Sequence, residues 1–445
     1  MAVSYPDPLP INPYTRPVSG TVEVPGSKSI TNRMLILACM ADHPVTLTGA
    51  LFSDDSRYMV GCLQKLGFEI EVDEASKSIQ LSGTGGRIPA EQASLFVGVA
   101  GTAARFLTAF CASRTGGEFT LDGTEQMRKR PMKGLLDALE QQGTKVDSND
   151  GFFPATLAPS GLKGGTVELE ASASTQLLSA LLMVAPLAKE DLIIEVSGGA
   201  EKKPFVLLTQ ELMYRFGQPK QEIEDLGTGQ VQLKVKAGIP YSIPETVAIE
   251  PDASAASYFL SLPLVVGGSV TIKGLHSDSL QGDYAYTDVL EELGVSIEEN
   301  EAGTSASMSV KDLPGSGIHD NFWPISDTFL TLAAIAPLLK GPTRIDGIGH
   351  TRHQESDRIA AMASELIKLG QWVEDGEDYL EIQPSLIVPS EVLTYDDHRV
   401  AMSFGILGCF NLYGDGSPWL TIRDPGCCAK TFPEFFNILE QLRTA

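Results

Sequence analysis

The chain has 445 residues, of which 43% are hydrophobic and 20% are charged, and its formal net charge is −24. This length exceeds what one hydrophobic core usually supports, so we expect a globular protein of two or more domains. An acidic surface repels nucleic-acid phosphates and anionic lipid head groups, which excludes nucleic acid and membrane as general partners.

The N-terminal sequence and the cysteines favour a cytoplasmic protein. The first ten residues, MAVSYPDPLP, lack the basic and apolar regions of a secretory signal. The longest apolar run, residues 177–188, has 12 residues, whereas a bilayer needs roughly 20. The six cysteines include no CxxC pair, which suits a reducing compartment.

Six apolar, helix-length segments recur along the chain at nearly constant spacing. They begin near Thr31, Thr102, Ser174, Asp252, Ser326 and Asp397, at steps of 71, 72, 78, 74 and 71 residues. Each leads into a β-rich run and then into an amphipathic stretch. Five of these stretches end at a glycine, namely Gly67, Gly143, Gly217, Gly294 and Gly370. Self-similarity of this kind predicts six copies of one supersecondary unit.

Within each unit the pattern predicts the order strand, helix, strand, helix, strand. The strand before the first helix is visible in three similar junctions, residues 20–29, 165–174 and 245–254. Alternation of strands and helices indicates the α/β class.

The sixth unit ends at a second helix, predicted from Lys430 to the last residue, and lacks the strand that follows this helix elsewhere. Residues before Gly26 could supply that strand. We therefore expect a discontinuous domain, residues 1–25 and 250–445, that contains units four to six. Residues 26–249, with units one to three, form the other expected domain.

Cationic and hydroxyl side chains concentrate at the predicted helix starts. These residues are Lys28, Ser29, Arg33, Arg105, Arg128, Arg130, Ser174, Thr175, Gln176, Lys202, Lys203, Arg352, Arg358, Arg399 and Lys430. Helix N-termini carry unpaired N–H groups and partial positive charge, so converging starts predict a cleft that binds several anions. Taken singly, each cation is most often a solvated surface residue and each hydroxyl a helix cap.

Two carboxylates, Asp327 and Glu355, are the candidates for acid and base chemistry, since each lies near a helix start. The alternatives are that Asp327 is a cap and that Glu355 is only a partner for Arg358. His350 and His353 lie three residues apart without a clear third ligand, so we expect no metal. P-loop, GxSxG and HExxH motifs are missing from the sequence.

A set of motifs across nearly the whole chain resembles the 5-enolpyruvylshikimate-3-phosphate synthase family. The motifs are PGSKSITNR (25–33), GVAGTAARFLTA (98–109), RKRPM (128–132), STQLLSALL (174–182), EPDASAASYF (250–259), QESDR (354–358), DDHRVAM (396–402) and AKTFPEFF (429–436). The resemblance implies a two-domain inside-out α/β barrel of six βαβαββ units, three in each domain. It also implies transfer of the enolpyruvyl group of phosphoenolpyruvate to the 5-hydroxyl of shikimate 3-phosphate, with release of phosphate and without a cofactor.

The same resemblance implies roles for individual residues. Asp327, Glu355 and Lys28 are implied to transfer protons. The implied phosphoenolpyruvate ligands are Lys28, Gly101, Arg130, Gln176, Arg358, Arg399 and Lys430. The implied shikimate 3-phosphate ligands are Lys28, Ser29, Arg33, Ser174, Thr175, Gln176, Lys202, Asp327, His350 and Gln354. We expect these two small molecules to be the partners of a monomer.

Some positions depart from the family pattern. Val99, Phe106, Phe205 and His350 replace the usual Asn, Pro, Tyr and Asn. Gln354 stands where a basic residue usually binds the shikimate phosphate, and Lys202 where a serine is usual. We expect the last two changes to compensate each other.

The sequence argues against one alternative and leaves two open. The related UDP-N-acetylglucosamine enolpyruvyl transferases carry a cysteine in the loop that corresponds to residues 125–131 and a Lys-Asn pair at Lys28 and Ser29, and this chain has neither. An enolpyruvyl transferase for another phosphorylated alcohol and a non-catalytic anion-binding protein stay open.

Overall fold

The computed structural model describes residues 4–171, 174–227, 229–312 and 316–445. The chain forms two compact units. The discontinuous unit contains the residues up to Pro25 together with Glu250–Ala445, and the continuous unit is Gly26–Ile249. Ser172 and Ala173 of the predicted junction at residues 165–174 lie outside the described residues.

Strands and helices alternate throughout. The strands are β1 (Leu9–Pro10), β2 (Val18–Val22), β3 (Pro44–Thr48), β4 (Ile70–Asp73), β5 (Ser78–Ser82), β6 (Gln92–Phe96), β7 (Glu118–Asp122), β8 (Lys145–Asn149), β9 (Phe152–Ala158), β10 (Gly165–Glu168), β11 (Leu192–Ser197), β12 (Glu222–Asp225), β13 (Gln230–Val235), β14 (Thr246–Ala248), β15 (Gly268–Lys273), β16 (Ser296–Asn300), β17 (Gly303–Met308), β18 (His319–Asn321), β19 (Thr343–Asp346), β20 (Trp372–Asp375), β21 (Tyr379–Gln383), β22 (Ser390–Val392) and β23 (Leu420–Ile422). The α-helices are α1 (Lys28–Cys39), α2 (Asp54–Lys65), α3 (Gly101–Ser113), α4 (Glu125–Arg128), α5 (Lys133–Gln141), α6 (Thr175–Val184), α7 (Pro204–Arg215), α8 (Ala253–Leu260), α9 (Leu262–Val266), α10 (Tyr286–Glu292), α11 (Phe329–Ile335), α12 (Arg358–Lys368), α13 (His398–Gly408) and α14 (Phe435–Thr444).

One sheet topology recurs. In the sheet β6-β7-β9-β8 the first two strands are parallel and the other two neighbouring pairs are antiparallel. The sheets β10-β11-β13-β12, β18-β19-β21-β20, β14-β3-β5-β4 and β2-β15-β17-β16 have the same pattern. These sheets have four strands, so the predicted order of three strands per unit missed one strand of the final antiparallel hairpin.

Two strands join a sheet in the other compact unit from the helix that follows them in sequence. Strand β2 precedes α1 in sequence but pairs in parallel with β15, the strand that follows α8 and α9. Strand β14 precedes α8 but pairs with β3, the strand that follows α1. The chain thus passes from one unit to the other directly after β2 and again directly after β14. The predicted junctions at residues 20–29 and 245–254 correctly place a strand before a helix. They do not indicate which sheet that strand joins.

The N-terminus supplies a strand to the last sheet. Leu9 and Pro10 of β1 pair antiparallel with Ile422 and Thr421 of β23, which lies parallel to β22. The final helix, α14, begins at Phe435 rather than at the predicted Lys430. Pro433 explains the later start, because a proline lacks an amide donor and disfavours helical backbone in the preceding residue.

The five glycines that end the amphipathic stretches have left-handed backbone. Their φ angles lie between +86° and +99°. Gly67 shows why: its N–H bonds the carbonyl of Gln64, and the N–H of Phe68 bonds the carbonyl of Leu63, so the turn satisfies carbonyls at the end of α2. A side chain at such a φ would be strained, so glycine is favoured there.

The first helix of each repeat is buried almost all round. Every residue of α8, α11 and α13 is buried, as are the residues of α1 from Ile30 and of α3 up to Ala112. A helix that is apolar on all sides belongs in a core. The N-termini of these first helices carry many of the residues that the sequence singled out, among them Lys28, Gly101 and Arg399.

Candidate active site

A cluster of charged side chains lies at helix N-termini in the discontinuous unit. Arg358 begins α12, Arg399 is the second residue of α13, and Asp327 precedes α11. One oxygen of Asp327 accepts from Arg358 Nη1 at 2.9 Å, and the other accepts from Arg399 Nη2 at 2.7 Å. Three residues that are far apart along the chain therefore meet at one place.

Glu355 extends this cluster to Lys430. Arg358 Nη2 donates to Glu355 Oε2 at 2.9 Å, and Lys430 Nζ lies 3.0 Å from Glu355 Oε1. The side chains of Glu355 and Lys430 are only 10% and 9% exposed. Gln354 joins them, because its Oε1 accepts a hydrogen bond from Arg358 Nη1.

Asp397 is a member of the cluster that the sequence analysis missed. It caps α13 by accepting from the N–H of Arg399 at 3.0 Å, and it accepts from Arg358 Nε at 2.9 Å. Its side chain is fully buried. The sequence marks it only as a helix start, and ordinary caps give the same signal. We use the name charged cluster for Asp327, Glu355, Arg358, Asp397, Arg399 and Lys430.

The charged cluster balances three cations against three carboxylates. Burial by itself lowers the pKa of Arg358, but Asp397, Glu355 and Asp327 outweigh it and raise that pKa above the ordinary value. The pKa of Arg399 is also raised, because Asp327 and other acidic neighbours outweigh burial. Both guanidinium groups therefore stay charged, and each has N–H donors directed at a carboxylate.

In the continuous unit, Arg33 is a buried cation with neutral partners. Its Nε donates to Thr209 Oγ1 at 2.7 Å, and its Nη1 donates to the Ser29 carbonyl at 3.0 Å. Its Nη2 donates to Ser179 Oγ at 3.2 Å and to the Phe205 carbonyl at 2.9 Å. Arg33 thereby connects α1, α6 and α7 near the start of each. Burial lowers its pKa to about 9, so it remains charged at neutral pH.

The starts of α1 and α6 carry the other predicted residues of the continuous unit. Lys28 Nζ lies 3.9 Å from Oδ2 of Asp55, a residue that is 2% exposed. Ser174 caps α6 by accepting from the N–H of Gln176 at 3.2 Å, and Thr175 is the first helical residue. Among the described residues, the buried Oε1 of Gln176 has no hydrogen-bond partner.

Gly101, the first residue of α3, makes room for two guanidinium groups. A Cβ atom at this position would lie 2.5 Å from Arg130 Nη1 and 2.8 Å from Arg105 Nη1. Any side chain would push these cations away. Arg128, in contrast, forms a bidentate pair with Asp122 and is half exposed, as expected for a surface residue.

Two further predicted ligands have contacts of their own. The Lys202 side chain is 79% exposed, and its Nζ lies 3.9 Å from Glu201 Oε1. His350 Nε2 lies 2.9 Å from Ser326 Oγ, just before α11.

No set of three or more His, Cys, Asp or Glu side chains within the described ranges is placed to hold a metal ion. In the same part of the chain, no helix combines the length and the apolar character that a membrane crossing requires.

Comparison with known proteins identifies the family. The EPSP synthase (3-phosphoshikimate 1-carboxyvinyltransferase) family model matches residues 14–439. A 3-phosphoshikimate 1-carboxyvinyltransferase of Opitutus terrae is 51% identical over 98% of each chain. One of Nostoc punctiforme is 44% identical over 98% of this chain and 100% of its own.

A solved EPSP synthase structure from Acinetobacter baumannii has a TM-score of 0.77 at 23% identity and covers 97% of each chain, so the mixed α/β two-domain fold is shared. The sequence matches extend over the motifs that build the charged cluster and the helix starts around Arg33. The chain belongs to the EPSP synthase family of 3-phosphoshikimate 1-carboxyvinyltransferases.

Proposed function

We propose how the residues of this chain carry out the reaction of its family. The chain is an enolpyruvyl transferase: it transfers the enolpyruvyl group of phosphoenolpyruvate to the 5-hydroxyl of shikimate 3-phosphate and releases phosphate. The hydroxyl oxygen adds to C2 of phosphoenolpyruvate and loses its proton, while the methylene carbon gains a proton and becomes a methyl group. Loss of phosphate and of one methyl proton from this tetrahedral intermediate then restores the double bond, now as an enol ether.

In this proposal Arg358 and Arg399 bind the carboxylate of phosphoenolpyruvate. The supporting observation is that both guanidinium groups already hold one carboxylate, that of Asp327, at 2.9 and 2.7 Å. A planar guanidinium matches a carboxylate with paired N–H donors. Substrate binding is then an exchange, in which the carboxylate of the substrate takes donors from Asp327.

This exchange prepares Asp327 to act as the base. While Arg358 donates to one oxygen of Asp327 and Arg399 to the other, the two positive charges stabilise the ionised carboxylate and oppose its protonation. Once the substrate takes these donors, an oxygen of Asp327 can accept the proton of the attacking hydroxyl. Base catalysis thereby becomes coupled to the presence of the donor substrate.

The remaining charged residues serve the phosphate of phosphoenolpyruvate and the proton transfers. We assign Lys430 and, in the continuous unit, Lys28 and Arg130 to this phosphate, with Gly101 and Gln176 beside it. Lys430 lies 3.0 Å from Glu355, so a proton can pass between them without a large movement. We assign proton transfer at the enolpyruvyl methylene and at the leaving phosphate to Glu355 and Lys28.

The acceptor is assigned to the helix starts of the continuous unit and to three residues of the discontinuous unit. The assigned residues are Lys28, Ser29, Arg33, Ser174, Thr175, Gln176, Lys202, Asp327, His350 and Gln354. Because the hydrogen bonds of Arg33 go to neutral oxygens, its positive charge is not cancelled by them and attracts an anionic acceptor.

We also propose that the recurring sheets are six βαβαββ units of an inside-out barrel, three in each of two domains, residues 26–249 and 1–25 with 250–445. All-round burial of the first helices supports this arrangement. We also propose that the enzyme is monomeric and cytoplasmic. A reducing compartment is supported by the six cysteines, all of which are free thiols.

Asp327→Asn tests the role of the base. We expect kcat to fall by roughly 10²- to 10⁴-fold, as for loss of a general base, with a much smaller change in KM for either substrate. Release of phosphate from phosphoenolpyruvate with shikimate 3-phosphate, followed in the presence of EDTA, measures both constants. Near-normal turnover of the variant would show that Asp327 only orders the two arginines.

A further inference from the structure

The three carboxylates that hold Arg358 differ in how easily a substrate can replace them. Asp327 and Glu355 are partly exposed, so a carboxylate that enters the site can reach the N–H groups that they occupy. Asp397 is fully buried. A substrate cannot reach the contact between Asp397 and Arg358 without displacing the structure around it. Of the three, Asp397 is therefore the fixed partner.

Hydrogen bonds to both oxygens orient the Asp397 side chain. Its Oδ2 accepts from Arg358 Nε at 2.9 Å and from Ser356 Oγ at 3.0 Å, and its Oδ1 accepts from the N–H of Arg399 at 3.0 Å. One buried carboxylate thus caps the helix that carries Arg399 and sets the direction of the Arg358 guanidinium. With Nε directed at Asp397, the Nη groups of Arg358 point to the more exposed carboxylates.

A strained turn, residues 394–397, places Asp397 at the start of α13. The N–H of Asp397 donates to the Thr394 carbonyl at 2.9 Å. The two central residues, Tyr395 and Asp396, have φ angles of +56° and +57°, the signs of a type I′ turn. This backbone favours glycine and is unfavourable for a side chain as large as tyrosine. Such strain persists where the surroundings impose it, and it concentrates at functional sites.

Glu365 of α12 holds the strained turn in place. Its Oε1 accepts from Tyr395 Oη at 2.6 Å, and its Oε2 accepts from the N–H of Leu393 at 3.1 Å. The Glu365 side chain is fully buried, so these contacts are shielded from solvent. Helix α12 therefore contacts the segment before α13 twice, through Glu365 and, two helical turns earlier, through its first residue, Arg358.

We propose that Asp397 is a positioning residue for enolpyruvyl transfer, which the strained turn holds in place so that Arg358 presents its Nη groups to the carboxylate of phosphoenolpyruvate. This inference rests on the proposed assignment of Arg358 to that carboxylate. Asp397 does not exchange with the substrate. Its hydrogen bond to Nε orders the guanidinium before the substrate arrives, so less side-chain freedom is lost on binding.

Asp397→Ser separates positioning from capping. Serine is a good N-cap residue, so it keeps a partner for the first turn of α13 while the carboxylate on Arg358 is lost. The KM for phosphoenolpyruvate should rise roughly tenfold or more, as expected for a lost charge-assisted hydrogen bond, whereas the KM for shikimate 3-phosphate should stay nearly constant. A residue that served stability alone would lower kcat through loss of folded enzyme and would leave both KM values unchanged.

Tyr395→Phe tests the strained turn at a side chain that is partly exposed. It keeps the ring and removes the hydrogen bond to Glu365, so the turn loses one of its anchors. The KM for phosphoenolpyruvate should rise several-fold, again with little change for shikimate 3-phosphate. Tyr413→Phe, at an exposed tyrosine of the same compact unit, is the matched control and should reproduce the wild-type constants.

The proposal is overturned if either variant keeps the wild-type KM for phosphoenolpyruvate, or if the KM for shikimate 3-phosphate rises by the same factor. If Asp397→Ser does not fold, Tyr395→Phe alone decides. Arg358→Lys separates this inference from the assignment beneath it, because lysine keeps the charge but not the paired N–H donors. Without a rise in the KM for phosphoenolpyruvate in Arg358→Lys, the assignment itself fails. A large rise there, without the selective rise in the other two variants, rejects only the role of Asp397.

Discussion

Each compact unit contains an arginine that is 2% exposed, and the two are stabilised in opposite ways. Arg358 bonds the carboxylates of Asp327, Glu355 and Asp397, whereas Arg33 bonds hydroxyl and carbonyl oxygens and lies over the Phe106 ring. Burial lowers the pKa of both, but only at Arg358 do carboxylates reverse the effect.

The difference separates two ways of preparing a site for anions. A buried cation among neutral oxygens keeps an uncancelled charge, so an anion can bind without displacing anything. A cation held by carboxylates binds an anion only by exchange, and the displaced carboxylate then becomes available for chemistry. The first arrangement suits recognition of an acceptor, and the second suits activation of a base.

Arg358→Ala should have the largest effect on stability. It removes the shared partner of the fully buried Asp397 and of the largely buried Asp327 and Glu355. Breaking a buried ion pair from one side costs about 3–5 kcal/mol. All three tryptophans, Trp323, Trp372 and Trp419, lie in the discontinuous unit. Urea unfolding followed by tryptophan fluorescence therefore reports on the unit that contains the substitution.

Arg423→Ala is the control for this experiment. Arg423 pairs bidentately with Glu391 in the same unit, but its side chain is 47% exposed. A surface pair contributes about 0–1 kcal/mol. If Arg358→Ala destabilised the unit no more than this control does, the cluster would not depend on mutual compensation of its charges.

Much of the site could be predicted because its residues lie at marked positions in a repeat. Arg358, Arg399 and Asp327 stand at or just before the starts of α12, α13 and α11, and helix starts are the positions that the sequence singled out. The five terminal glycines were equally visible, because only one residue type adopts their backbone without strain.

What the sequence did not predict depends on partners that are distant along the chain. The junctions GTVEV and ETVAI are so similar that neither strand specifies which sheet it joins, and pairing across the two crossovers decides it. The inward direction of Arg33 likewise depends on Thr209 and Ser179, which are 176 and 146 residues away.

Arg33→Met should have an intermediate effect on stability. It removes hydrogen bonds to neutral oxygens and leaves no carboxylate unpaired, so we expect a loss of about 1–3 kcal/mol. Amide hydrogen exchange in peptides from α1, α6 and α7 measures it locally. Arg215→Met in α7, where the arginine is half exposed and pairs with Glu211, is the control. A loss as large as that of Arg358→Ala would remove the distinction between the two arginines.

Lys202→Ser should have the smallest effect on stability. It therefore separates a loss of substrate binding from a loss of stability. The side chain is 79% exposed, so its removal should leave the stability unchanged within about 0.5 kcal/mol. If Lys202 binds the phosphate of the acceptor, the loss of an exposed charge contact of roughly 1 kcal/mol raises the KM for shikimate 3-phosphate about fivefold. The KM for phosphoenolpyruvate should stay nearly constant.

Two controls decide the meaning of that change. Unphosphorylated shikimate lacks the group that Lys202 would contact, so Lys202→Ser should not alter its use, and high salt should shrink the effect on shikimate 3-phosphate. Adding Gln354→Lys should restore only part of the loss, because the new cation would lie beside Arg358, which now donates to Gln354. An unchanged KM in Lys202→Ser would show that this lysine is a solvated surface residue, and that the acceptor is bound by buried positive charge such as that of Arg33.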